Sequence, residues 1–372
     1  MHYQTYLTPP SHVWSDLHQL YFCAAKLGIL YNNIPADATP TQAKNYTHLL
    51  TSIEDIYKHT LLVSLAQPHH LIQQDISAVA DYLAHNIQAA RVTAIETLEN
   101  SSGAFIINLT SDAPPTPYSK LKLEPNPDAD LLLHTIDLIR AIHEDLNKLQ
   151  NHSVPANGSI NANANHNDYI PLLSYLITNW GTSPKRIFNR SAQNGDIDIV
   201  VGIENIHNII TGSKTTNDSS TQTYQVTPSH WKILNISANG ISIRRHHTAE
   251  KNIKVGGIIA LKAKNEQQWS IGLVKWANCG IRDRLDIGVQ LIAPYADSAF
   301  AQAFQHRSSS KILKLPEISA MSQASSIIAP RGTYIHGRQL TFTCNQNSAQ
   351  VSLNRLIERT HDIERIQFNI MN

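Results

Sequence analysis

The chain has 372 residues, with 30 basic and 29 acidic side chains and a net charge of +1. That length supplies several cores without covalent staples. The near-balance of charge removes any general electrostatic pull toward nucleic acid or an anionic membrane surface. The three cysteines (Cys23, Cys279, Cys344) lie far apart and form no metal-ligand spacing, so they read as reduced thiols. The first residues carry no basic leader or apolar h-region, and no apolar run is long enough to span a bilayer. The expectation is a cytoplasmic protein with no transmembrane segment, for which nucleic acid is an unlikely partner.

Residues 11–90 read as helical. Trp14, Leu17, Leu20, Tyr21, Ala24 and Leu27 recur at three- and four-residue steps and form one apolar stripe ending at Gly28. A second helix follows a Pro-containing break, with Thr41 as a cap, and a third follows Pro68. "RVTAIETL" and "GAFIINL" flank Glu99–Ser102 and predict a β-hairpin near 91–112. "DADLLLHTIDLIRAIHEDLNKLQ" is a further amphipathic helix, which closes a mainly helical domain over 1–150. Residues 151–167 are Asn-rich, almost uncharged and poor in large apolar groups, and predict a linker and the main domain boundary. Beyond it, 168–296 predicts a short helix leading into a β-barrel, and 297–372 a helix ("DSAFAQAFQHR") followed by a small β-rich unit.

The β region carries the chemistry. Six short β-branched runs, "DIDIVVGI", "WKIL", "GISIRR", "GGIIALKAK", "WSIGLVKWA" and "LDIGVQLI", alternate with turn residues, as in a compact antiparallel barrel. A polar insertion, 213–229, interrupts them. Just before the first run stands Lys185-Arg186-Ile187-Phe188-Asn189-Arg190, an RxxxR. At a strand–turn boundary stands Asn235-Ile236-Ser237-Ala238-Asn239-Gly240, an NxSxxG. A guanidinium can fork onto the O6/N7 edge of guanine, stack on its face or pair with a phosphate. Asn235 offers a donor and an acceptor to a base edge, and Ser237 a hydroxyl. Gly240 permits a left-handed turn or a close approach that a side chain would block.

The ordered pair of motifs, with Gly256 before an apolar strand, "WSIGLVKWA" and "LDIGVQLI", resembles the PilZ domain family over roughly residues 184–295. That resemblance implies a six-stranded antiparallel barrel that binds cyclic di-GMP through Arg186, Arg190, Asn235, Ser237 and Gly240. Lys185, Arg244 and Arg245 are secondary candidates beside them. The fold class expected is therefore α+β and multidomain: a mainly helical N-terminal domain, a central PilZ-like barrel and a small β-rich C-terminal unit. The function implied is a non-enzymatic cyclic di-GMP receptor that needs no cofactor or metal. It would pass the signal to its helical domain, which would meet a protein partner. One alternative is a scaffold whose barrel binds no nucleotide. A second is a metal-dependent nucleotide hydrolase built on His361-Asp362, although no ordered set of further His and Asp ligands accompanies that pair.

Overall fold

The computed structural model describes residues 2–34, 49–120, 124–160, 166–181, 191–212, 226–245, 253–280, 284–303, 309–318, 323–344 and 347–371. The chain divides into two compact units, Met1–Ile187 and Phe188–Asn372.

The first unit opens with α1 (Val13–Lys26), α2 (Ile53–Leu65) and α3 (Gln73–Asn86). The buried face of α1 is Trp14, His18, Tyr21 and Ala24, a three- and four-residue progression. The expected stripe is therefore misphased at two positions: Leu20 is 67% and Leu27 72% exposed. His12 gives α1 no side-chain cap. Instead Asp112, far downstream in sequence, accepts the N–H groups of His12, Trp14 and Ser15 at 2.7, 3.1 and 3.2 Å. Those are among the donors a helix leaves unbonded at its start. Ser52 caps α2, accepting from the Asp55 N–H at 3.1 Å. The expected cap Thr41 lies outside the described residues.

Four strands follow: β1 (Arg91–Ala94), β2 (Ala104–Asn108), β3 (Thr116–Pro117) and β4 (Asp130–His134). The sheet order is β1-β4-β2-β3. The expected hairpin of β1 with β2 is therefore not formed, because β4 lies between them and pairs with both. The physical reason is burial: β2 and β4 carry the most apolar sequences, "AFIIN" and "DLLLH", and take the two central places. Helices α4 (Ile136–Gln150) and α5 (His166–Gly181) complete the unit. The Asn-rich stretch between these helices is not a domain boundary. Ile139 and Ile142 of α4 and Leu173, Leu176 and Trp180 of α5 share one core with α2, α3 and the sheet. The Trp180 indole donates to the Leu62 carbonyl at 3.1 Å, so α5 belongs to the first unit.

The second unit begins with β5 (Ser191–Val201), α6 (Ile203–Thr211), β6 (Ser229–Ser237), β7 (Gly240–Arg245), β8 (Ile258–Ala263), β9 (Ser270–Cys279) and β10 (Leu285–Ala293). All six expected runs are strands, and they close a barrel in the order β10-β7-β6-β5-β8-β9. Trp231, Ile233, Ile243, Ile259 and Ile287 are buried within it. Helix α6 has no counterpart among the expected elements; it ends at Gly212, which takes the left-handed conformation usual after a helix.

The C-terminal region is a second closed six-stranded barrel, ordered β11-β12-β13-β16-β15-β14. Its strands are β11 (Asp297–Ala303), β12 (Ser309–Leu315), β13 (Ser326–Pro330), β14 (Gln339–Cys344), β15 (Asn347–Arg359) and β16 (Ile363–Ile370). The helix expected from residue 297 is thus a strand. Ala299 and Ala301 alternate inward at a two-residue period, against Ile312 of β12 and Phe342 of β14. Alanine's helix propensity loses here to sheet closure.

Candidate functional site

Strand β6 decides where the NxSxxG residues point. Side chains alternate along a strand, so Trp231, Ile233, Asn235 and Ser237 would all face inward if the ladder were regular. It is not regular. Ile233 pairs with Ile243 while Asn235 pairs with Ser242, leaving Leu234 as an extra residue in a β-bulge. Beyond the bulge the phase is reversed. Ile236 pairs with the buried Ile241, and Asn235 and Ser237 turn to the outer face, in phase with Lys232 and Arg244. Strand β5 follows with a compensating irregularity between Ala192 and Gly195.

A second bulge continues the outer face. On β9, Trp276 pairs with Gly288 and Val274 with Val289, so Lys275 is the extra residue. Val274 stays in the core at 1% exposure, and Trp276 is turned outward. Asn235, Ser242, Gly288 and Trp276 then form one row across β6, β7, β10 and β9. A methyl group at Gly288 would lie 1.8 Å from the Trp276 Nε1 atom, so the indole rests flat where a side chain would stand. In the sequence Trp276 reads only as a strand residue; its bulge and the glycine beneath it carry no separate signal there.

The hairpin joining β6 and β7 is pinned at both of its ends. The Ser237 hydroxyl donates to the Gly240 carbonyl at 3.2 Å, and the Leu291 N–H donates to the Asn239 carbonyl at 3.0 Å. Gly240 is not among the glycines with positive φ. Its need is space: an added Cβ would lie 2.9 Å from the Val289 carbonyl oxygen. Of the two roles expected of Gly240, the close approach is the one present. The Asn235 amide makes no side-chain hydrogen bond among the described residues and is half-buried on the outer face.

Arg244 is committed elsewhere. Its Nε and Nη2 atoms donate to the two carboxylate oxygens of Asp286 at 2.7 and 2.8 Å, a two-point fork between neighbouring strands. The hydrogen bonds to Asp286 hold the guanidinium pKa above its usual value. Arg244 is therefore a cross-strand tie, and Arg245 also has a partner within the protein. Lys185, Arg186 and Arg190 lie outside the described residues. What is described is the strand they lead into: Ser191, the next residue after Arg190, pairs with Ile236, between Asn235 and Ser237.

His361 and Asp362 sit in the turn between β15 and β16, bonded to one another at 3.1 Å and both exposed. Among the described residues no group of three or more His, Cys, Asp or Glu side chains could hold a metal ion. No helix among them is long and apolar enough to cross a membrane.

Comparison with known proteins covers almost the whole chain. Residues 1–97 match the family model described as the N-terminal domain of the cyclic-di-GMP receptor FimW. Residues 104–223 and 212–297 match its middle PilZ domain, and residues 300–371 the FimW C-terminal beta-barrel domain. The cyclic-di-GMP receptor FimW of Pseudomonas aeruginosa is 21% identical, over 98% of this chain and 69% of the relative. A solved structure, the Borreliella burgdorferi PlzA protein in complex with c-di-GMP, covers 49% of this chain and 87% of that one, at 9% identity and a TM-score of 0.17. With its three successive regions matched in order and a six-stranded PilZ barrel at its middle, the chain belongs to the FimW family of cyclic-di-GMP receptors.

Proposed function

We propose that this protein binds cyclic di-GMP on the outer face of its PilZ barrel, with Arg186, Arg190, Asn235, Ser237 and Gly240 as the site and Trp276 beside them. The observation that carries this reading is the bulge at Leu234. It turns Asn235 and Ser237 outward, next to the strand into which Arg186 and Arg190 lead.

Each group has a task that its chemistry suits. The two arginines fork onto guanine edges or pair with phosphates, which lysine's single ammonium does poorly. The Asn235 amide, unbonded among the described residues, can both donate to and accept from a base edge. Ser237 spends its proton on the Gly240 carbonyl and keeps its oxygen lone pairs as acceptors. Gly240 keeps the turn close to Val289. The Trp276 indole offers a flat apolar surface on which a guanine can stack, worth about 1–3 kcal/mol per base.

Residues 182–190 connect α5 to β5, so a ligand gripped by Arg186 and Arg190 acts on the covalent link between the two units. The protein is thereby a non-enzymatic, cytoplasmic receptor whose N-terminal helical region passes the signal to a protein partner. Titration calorimetry with cyclic di-GMP on the wild type and on Arg190→Ala tests the reading. Saturable heat in the wild type, weakened by roughly tenfold or more in the variant, is expected from the loss of a charge-assisted hydrogen bond. No heat with the wild type would sink it.

A further inference from the structure

The two barrels share one connectivity. Counting strands from the start of each barrel, both pair first with second, second with third, third with sixth, sixth with fifth, and fifth with fourth. The fourth strand closes the ring onto the first in each case, so the closure too is shared. The likeness extends to an irregularity. In the first barrel the fifth strand carries its extra residue, Lys275, immediately before Trp276. In the second, the fifth strand carries an extra residue, Ile357, immediately before Glu358.

The register therefore gives each residue of the nucleotide row a counterpart. The first barrel has Asn235, Ser242, Gly288 and Trp276 across strands two, three, six and five. The second has Leu313, Ile328, Arg365 and Glu358. Where the first row offers an amide and a hydroxyl, the second has two aliphatic side chains, and they are covered. Leu313 and Ile328 are fully buried in a cluster with Ile258, Ile271 and Leu273 of the first barrel. At the end of the row the Lys275 ammonium meets the Glu358 carboxylate at 2.9 Å. The bulge residue that sets Trp276 outward thus grips the counterpart of Trp276 in the other barrel.

We propose that the C-terminal barrel is a second copy of the nucleotide barrel whose corresponding face takes the first barrel in place of a nucleotide. Through Lys275 it senses what rests on Trp276. This inference rests on the reading that cyclic di-GMP binds at that row. The chain then holds one nucleotide row, and the C-terminal barrel is its immediate listener.

Hydrogen exchange on the full chain, with and without cyclic di-GMP, tests this. In the wild type, nucleotide slows exchange in 229–245 and also changes it at least about twofold in 347–370. In Glu358→Gln the first change persists and the second is lost. Slowed exchange at 229–245 with an unaltered 347–370 would overturn the inference while leaving the nucleotide reading intact. No change in either region would bring both down. Calorimetry on the Asn235→Ala, Trp276→Ala double variant is the companion measurement: affinity falls by about 50-fold or more, and substituting Arg365 changes it no further if the second row holds no ligand. Residual saturable binding that is then removed by substituting Arg365 would also overturn it.

Discussion

Gly288→Ala isolates the tryptophan platform from the rest of the site. The new methyl carbon would stand 1.8, 2.2 and 2.6 Å from the Nε1, Cε2 and Cδ1 atoms of Trp276. Carbon atoms in contact sit about 3.5–4.0 Å apart, so the indole must lift or swing by roughly 1.5–2 Å. It is half-buried on the outside of the barrel and not packed in the core. The cost to folding is therefore at the low end of the ~1–3 kcal/mol typical of overpacking. The cost to binding is larger, because a displaced ring no longer offers its face. Losing a stacking contact of about 1–3 kcal/mol weakens binding by about five- to 150-fold.

Gly272→Ala is the matched control. Its methyl would meet Val289 Cγ1 at 2.4 Å and Leu261 Cδ1 at 3.1 Å, both on buried residues. It should lower stability by about 1–3 kcal/mol and leave the affinity of the folded protein unchanged. Calorimetry with cyclic di-GMP and thermal melts on both variants separate the two costs. Wild-type affinity in Gly288→Ala, with the indole displaced by fluorescence, would refute the role given to Trp276.

Asn235→Ala should lower affinity by about tenfold without lowering the melting temperature, since its amide bonds to none of the described residues; calorimetry and a melt on one sample measure both. Arg244→Ala should do the reverse. It leaves the buried Asp286 carboxylate with Arg284, at 3.7 Å, as an ion-pair partner, and should cost about 1–3 kcal/mol of stability, read by denaturant unfolding, with affinity unchanged. A further expectation concerns pH. Hydrogen bonds, first from the His12 N–H and then from those of Ser15 and Trp14, hold the Asp112 carboxyl below its usual pKa. A carboxyl depressed by folding contributes its stability above its unfolded value, about 3.9, and loses it as pH falls through the folded value. Exchange in residues 13–26 should therefore accelerate below about pH 4, and Asp112→Asn should exchange faster already at neutral pH and lack that step. An unaltered rate in the variant would count against Asp112 as the cap of α1.

The barrel strands were legible because β-branched runs bounded by turn residues have few other uses. Residues 297–303 were not: "DSAFAQA" carries two inward alanines too small to mark a strand by hydrophobicity, and their sheet is made by partners as distant as Thr343. The order of β1, β4 and β2 was hidden for the same reason, since adjacency in sequence suggested a hairpin that burial overruled. In the site, Asn235, Ser237 and Gly240 could be named from their spacing, but the face they occupy could not. That depends on Leu234, a residue with no chemical distinction, and on register with two neighbouring strands. Trp276 needed the register of β9 and the bare backbone at Gly288 before it became more than a strand aromatic.

A strand has a reading frame of two, and Leu234 is a frameshift in it. Were the ladder regular with Leu234 kept in it, every ligand group of the motif would still stand in the sequence, in order and at the same spacing. That regular pairing would nonetheless swap their sides, delivering an amide and a hydroxyl to the apolar interior and Ile236 to water. Motif and function can thus be uncoupled without touching the motif, and the same holds for Lys275 and Trp276. For any relative of this chain, the register in which the asparagine pairs with β7 is as informative as the asparagine itself.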